Sequence, residues 1–350
     1  MNALQSLLAT GTKLWLDSID LELVHRNRAA GATGATSNPI IVADLVGGGH
    51  YDDFIDHAIQ EGLDDEQIAW RLTDHLVREA QEVFFPVWVQ TQGDDGYVSF
   101  EIDPLLEDPE RNLPPRERAA QYVELGRQWS AEQKNRLIKV PATPAGIDAL
   151  ERLVAAGVKV NVTLIFTVRQ YRAARDAVWR GARARANLDQ FKSVYSIFVS
   201  RLDVYTEKAV PQLSPAAQGM VGILNAKRIW AENQAFWAQR PTRLEQEIVF
   251  ASTGVKRPGD APWKYVEAFA GSDIQTNPPA TNEAVSQSDL TFTRRIDKLP
   301  PEDVVGEIDR LVDMERLETV LMAEGVSKFA NPQKALLARI AEKRATVATR

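Results

Sequence analysis

Eight short apolar runs, separated by longer segments of helical period, set the tightest limit on what this 350-residue chain can become. Runs with strand character fall at 13–17, 34–37, 97–102, 137–140, 158–163, 194–198, 248–252 and, more weakly, 274–276. Between most of them, at 65–84, 114–133, 143–156, 168–186 and 203–210, apolar residues recur at helical spacing. Strand–helix alternation at this spacing calls for a parallel sheet, because a crossover between parallel strands needs about a helix's length of chain. Eight strands suggest an α/β fold closed into a (β/α)8 TIM barrel. One barrel of roughly 250 residues plus insertions would take up residues 1–350 as a single domain. The competing arrangement is an open, doubly wound sheet. No glycine-rich phosphate fingerprint opens a strand–helix turn: Gly47-Gly48-Gly49 precedes a helical segment but follows no strand. Residues 302–346 read as an additional set of C-terminal amphipathic helices. Apolar residues keep helical spacing across 304–321, and Asn331-Pro332 marks a break. The simplest place for this extension is the outside of the barrel.

The net charge of -7 argues against a nucleic-acid partner. Cysteine is absent, which removes disulfides, thiolate metal sites and cysteine nucleophiles. The first residues lack the basic start and apolar stretch of a signal peptide, and no run is long enough for a membrane span, so a soluble cytoplasmic protein is expected. His25, His50, His57 and His75 show no ligand spacing, and neither a metal nor a cofactor is expected. Arg175, Arg180, Arg183 and Arg185 read as a solvated helix face. The sequence leaves oligomeric state open, a homo-oligomer included.

Polar residues cluster at the ends of the strand runs. In Leu137-Ile138-Lys139-Val140-Pro141 a lysine sits inside an apolar strand that a proline ends. An ammonium buried without a partner is costly and tends to give up its proton, and a neutral amine attacks carbonyls. The alternative is a lysine at a strand margin with its tip in water. Alternation places Asp17 on the face of Trp15, Glu101 on that of Ser99, Thr163 on that of Asn161, and Phe198 on that of Ser196. Taken singly, Asp17 could be a helix cap and Glu101 a partner for an exposed lysine. Arg201 and Lys256 follow two other runs and could clamp a phosphate, although each alone reads as a surface charge. Together these ends hold an amine, two carboxylates, hydroxyls, an amide and cations, an inventory suited to Schiff-base aldol chemistry without a metal.

Several stretches in this order resemble the transaldolase family: Trp15-Leu16-Asp17, Ala35-Thr36-Ser37-Asn38-Pro39, Ser99-Phe100-Glu101, Ile138-Lys139-Val140-Pro141-Ala142-Thr143, Val160-Asn161-Val162-Thr163-Leu164-Ile165-Phe166, Ser196-Ile197-Phe198-Val199-Ser200-Arg201 and Asn277-Pro278-Pro279-Ala280-Thr281. The tail Glu324-Gly325-Val326-Ser327-Lys328-Phe329 is similar to the family's ending. The resemblance implies transfer of a dihydroxyacetone unit between sugar phosphates in the pentose phosphate pathway. By the same resemblance Lys139 forms the Schiff base, Asp17 moves the proton at carbon–carbon cleavage, and Glu101 and Thr163 hold the water of imine formation. Asn38 and Asn161 bind substrate hydroxyls with Thr36 and Ser196 nearby, and Arg201, Ser252 and Lys256 hold the phosphate. Ile197 stands where the family often has proline, and Lys256 lies in a turn where many members have an arginine. Fructose-6-phosphate aldolases, which resemble this family, carry tyrosine at the position of Phe198, so transfer rather than release is expected. The rival readings are such an aldolase, or a catalytically silent barrel that only binds sugar phosphates.

Overall fold

The computed structural model describes residues 2–347; Met1 and residues 348–350, the ends of the span read as one domain, lie outside it. Eight parallel strands close into a barrel in chain order: β1 Lys13–Leu16, β2 Gly34–Thr36, β3 Val98–Glu101, β4 Arg136–Pro141, β5 Val160–Ile165, β6 Ser193–Phe198, β7 Glu247–Ala251 and β8 Ile274–Asn277. The weakest of the expected strands, β8, completes the ring by pairing with both β7 and β1, which excludes the open sheet. Helices alternate with the strands, and their apolar faces cover the outside of the ring.

Alternation along the strands sorts the side chains. Trp15, Tyr97, Leu137, Val194, Val249 and Ile274 meet inside the barrel as a buried apolar layer. Two residues further along, the same faces carry Asp17, Lys139, Ser196, Ala251 and Thr276, which open on a cavity at the strands' C-terminal ends. This is the end where βα loops of such barrels build active sites. One residue departs from the expected alternation. Leu164, which simple alternation would set on the face of Val160 and Val162, takes a left-handed backbone (φ 56°) where the register between β5 and β6 shifts. The bulge turns its side chain toward Phe166 and Phe198 at the barrel mouth instead.

The C-terminal extension differs from expectation twice. The 304–321 segment is divided between two helices, Glu302–Leu311 and Met314–Val347. Pro332 lies inside the second helix rather than breaking it. A proline here removes one backbone donor, but the helix is held from both sides of it. Phe329, Leu336 and Ile340 are buried, Lys334 pairs with Asp108 and Glu110 at 2.6 Å, and Arg344 pairs with Asp65 at 2.7 Å. Nor does this helix simply coat the outside. It packs against Ser200–Ala209 after β6, Pro39–Gly47 after β2 and the short 3-10 turn after β3, and so crosses the C-terminal mouth. The arginine-rich helix is also less solvated than expected, because the Arg175 guanidinium lies 4.0 Å from the centre of the Phe236 ring.

One close approach fixes the turn after Lys139's strand. A Cβ on Gly146 would stand 2.0 Å from the Pro141 carbonyl oxygen, so only glycine lets the helix Pro144–Ala155 start there. Gly146→Ala should therefore cost about 1–3 kcal/mol or more by overpacking. Gly306→Ala, in a helix with open space around the new methyl, should be neutral or gain up to roughly 1 kcal/mol. Denaturant midpoints of the two variants measure the contrast, and equal midpoints would contradict it.

Candidate active site

The cavity at the C-terminal mouth has a volume of about 920 Å³. The Lys139 side chain lines it, although the residue is only 5% exposed. Its Nζ lies 2.9 Å from Glu101 Oε2 and donates to the Ser37 carbonyl at 3.0 Å. The sequence suggested a lysine without a partner. Instead β3 and β4 set Glu101 directly beside Lys139 in register, so the amine has a buried counter-charge. Burial raises the proton affinity of Glu101 above the usual carboxylate range, against the opposing pull of Lys139.

Asp17 follows β1 and faces the same cavity. It is not a helix cap, since Asp20 caps the helix Leu21–Ala29. Thr36 Oγ1 donates to Asp17 Oδ1 at 3.0 Å and lies 3.1 Å from Thr276 Oγ1. Burial raises the proton affinity of Asp17; Lys139, the Thr36 hydrogen bond, Arg201 and Lys256 pull it back without cancelling the effect. Asn38 does cap a helix, since its Oδ1 accepts from the Ile41 amide at 3.0 Å, while its side chain also lines the cavity.

Ten of the twelve residues singled out from the sequence line this cavity: Asp17, Thr36, Asn38, Lys139, Thr163, Ser196, Phe198, Arg201, Ser252 and Lys256. Glu101 and Asn161 stand just behind its wall. Asn161 is fully enclosed; its amide donates to Ser99 Oγ at 2.8 Å and accepts from Ser196 Oγ at 2.7 Å. It thereby fixes Ser196. Two cavity residues hold buried polar atoms with no hydrogen-bond partner, Thr163 Oγ1 and Arg201 Nη1. Orphaned atoms of this kind are uncommon, and in a cavity wall they are available to a ligand. Arg201 stands over the Phe198 ring at 4.9 Å; burial lowers its proton affinity, opposed by Glu324, Glu101 and Asp17. Ser252 takes a left-handed backbone (φ 56°) and lies 3.0 Å, oxygen to oxygen, from Ser200. Lys256 is exposed at the rim. Sequence reasoning assigned no part of the wall to Tyr205 and Lys208, nor to Leu321, Glu324, Lys328 and Phe329 of the terminal helix. The likeness of the tail to a family ending was the signal that could have pointed to the last three.

A buried amine flanked by carboxylates at the C-terminal mouth of a (β/α)8 barrel is the equipment of an enzyme that acts on carbonyl compounds. The chain belongs to the transaldolase/fructose-6-phosphate aldolase family, whose model matches residues 14–340. It is 33% identical to the transaldolase of Thermobifida fusca, over 97% of both chains. It is 32% identical to that of Thiobacillus denitrificans, over 97% of this chain and all of the other, and 28% identical to that of Trichodesmium erythraeum, over 95% of both. No described helix is long and apolar enough to cross a membrane.

The raised proton affinity of Asp17 has a cost in stability. Above the ordinary carboxylate value of 3.8 the unfolded chain ionises Asp17 freely, whereas the folded chain pays to ionise it in the cavity wall. Stability is therefore lost as pH rises from that value through the higher folded one. Asp17→Asn, which keeps an oxygen for Thr36, should melt above the wild type at neutral pH, and the gap should close toward pH 3. Melting curves across that range measure it; a variant that melts lower at neutral pH would contradict it.

Proposed function

We propose that this protein is a transaldolase acting through an imine on Lys139. It takes a dihydroxyacetone unit from a ketose phosphate such as sedoheptulose 7-phosphate or fructose 6-phosphate. It delivers the unit to an aldose phosphate such as glyceraldehyde 3-phosphate or erythrose 4-phosphate. The observation that carries the reading is the buried Lys139 amine, which opens on the cavity 2.9 Å from Glu101 and in company with Asp17.

The chemistry follows from the parts. Glu101, its proton affinity raised by burial, accepts a proton from Lys139 and frees the amine to add to the C2 carbonyl. The carbinolamine loses its hydroxyl as water, which Glu101 and the unpartnered Thr163 hydroxyl hold. Asp17 takes the C4 hydroxyl proton as the C3–C4 bond breaks, the protonated imine accepts the electron pair, and the aldose phosphate leaves. An enamine remains on Lys139. Attack of the enamine on the acceptor aldehyde returns the proton from Asp17, and water then frees the amine. Thr36 and Ser196 line the path of the sugar, and Asn38 offers its free amide group to a hydroxyl. Asn161 keeps a second N–H and a second lone pair beyond its two serine contacts, and a small shift of the enclosing wall would offer them to a hydroxyl. Arg201, whose buried Nη1 lacks an acceptor, receives the phosphate with Ser252 and Lys256. A charge-assisted contact of that kind contributes about 1.5–3 kcal/mol.

Borohydride added with fructose 6-phosphate should trap a three-carbon adduct on Lys139, read by peptide mass spectrometry, and Lys139→Ala should lose all activity. The informative rivals are other lysines, the half-buried Lys159 and the exposed Lys256. Lys159, which burial pushes down to about 8, donates to the Lys134 carbonyl and does not line the cavity. An adduct on Lys159 or Lys256 would overturn the assignment of Lys139.

A transferase must keep the enamine unprotonated until the acceptor arrives. Phe198 lines the cavity with its ring edge-on to Phe166, and it offers no proton to a neighbouring water. The wild type should release little free dihydroxyacetone when no acceptor is present. Phe198→Tyr places a hydroxyl where it can order water and should raise release relative to transfer. Release as fast as transfer in the wild type would replace this reading with the aldolase one.

A further inference from the structure

The terminal helix brings one aromatic ring to both ends of the reaction site. The Phe329 ring centre lies 5.6 Å from Lys139 Nζ and 6.0 Å from the guanidinium carbon of Arg201. The residue is 5% exposed and lines the cavity. One turn earlier, Gly325 allows the approach. A Cβ there would stand 3.0 Å from Leu164 Cδ2 and 3.5 Å from Arg201 Nη1, so the glycine leaves little space between the helix and the guanidinium. Arg201 is thus flanked by Phe198 at 4.9 Å and by Phe329, while its Nη1 has no acceptor. Aromatic faces within about 6 Å attract a cation, and more strongly where water is excluded. Unlike a carboxylate, a ring holds a guanidinium without occupying the donors that an anion needs.

We propose that Phe329 is a positioning residue that sets specificity for phosphorylated sugars: its ring, carried by the terminal helix, holds Arg201 aimed into the cavity beside Lys139. The inference rests on the reading of Arg201 as the phosphate ligand and Lys139 as the imine lysine. It also gives the helix across the mouth a chemical task, since without it Arg201 would lose one of its two aromatic neighbours and become free to turn toward the carboxylate of Glu324.

Phe329→Leu keeps an apolar side chain but has no ring, whereas Phe329→Tyr keeps the ring. In the full-length protein, the Leu variant should raise the KM for fructose 6-phosphate about three- to ten-fold with kcat changed little. Its kcat/KM for unphosphorylated fructose should stay within about twofold of the wild type, and the Tyr variant should restore the phosphate preference. Inorganic phosphate, titrated calorimetrically, should bind the Leu variant more weakly by the same factor. An unchanged KM in the Leu variant, equal weakening toward both sugars, or a Tyr variant no better than Leu would overturn the proposal. If borohydride traps nothing on Lys139 in the wild type, the imine reading fails by itself. The phosphate titration still decides whether Phe329 positions Arg201.

Discussion

Everything near the barrel mouth is arranged around one buried ion pair, Lys139 with Glu101. Two charges removed from water carry a penalty of several kcal/mol each unless their geometry and remaining hydrogen bonds repay it. Here adjacent strands bring the two side chains side by side, and the Ser37 carbonyl accepts a further hydrogen bond from the ammonium. Below the pair, the layer built on Trp15 closes the barrel to solvent, with the indole nitrogen satisfied by Asp95 at 3.0 Å. Above it stands Phe329. The amine is therefore enclosed on every side but the cavity, the one direction from which a reactant can approach.

The two ends of the barrel treat charge in opposite ways. At the N-terminal end Lys13 meets Glu247, Asp94 and Glu245 within 3.1 Å, and the fully buried Lys192 meets Glu247 at 2.7 Å. Burial alone would lower the proton affinity of Lys13, yet the surrounding carboxylates raise it above that of an ordinary lysine. This is a closed charge network, and its acids are already committed to lysines. At the C-terminal end Thr163 and Arg201 retain buried atoms without partners, and Asp17 and Glu101 hold their protons more tightly than ordinary acids. Shifted proton affinities occur at both ends, but at the mouth they belong to side chains that open on a cavity beside unpartnered polar atoms, in keeping with the βα-loop end as the reactive one.

The terminal helix joins these two themes. It survives Pro332 because apolar burial and ion pairs on both sides of the proline outweigh one missing backbone hydrogen bond. In return it roofs the cavity with Leu321, Glu324, Lys328 and Phe329. A segment that follows the last strand by almost forty residues is thus part of the site.

The sequence by itself determined a parallel α/β fold of eight strands, because period-two runs alternating with period-3.6 segments leave a parallel sheet little alternative; that the sheet closes was decided by the pairing of β8 with both β7 and β1. It also determined which side chains face the mouth, since alternation is a local property of a strand: Asp17, Thr163, Ser196 and Phe198 all lie where their parity puts them. Tertiary structure decided what those side chains meet. That Glu101 would pair with Lys139, and that Asn161 would be spent on Ser99 and Ser196, depends on register between strands distant in sequence. Leu164 escaped the alternation because a bulge is a product of pairing rather than of residue period. The path of the terminal helix was likewise beyond local reading. Its periodicity shows that one face must be buried, but only the packed barrel decides which surface buries it, and here that surface is the active-site mouth.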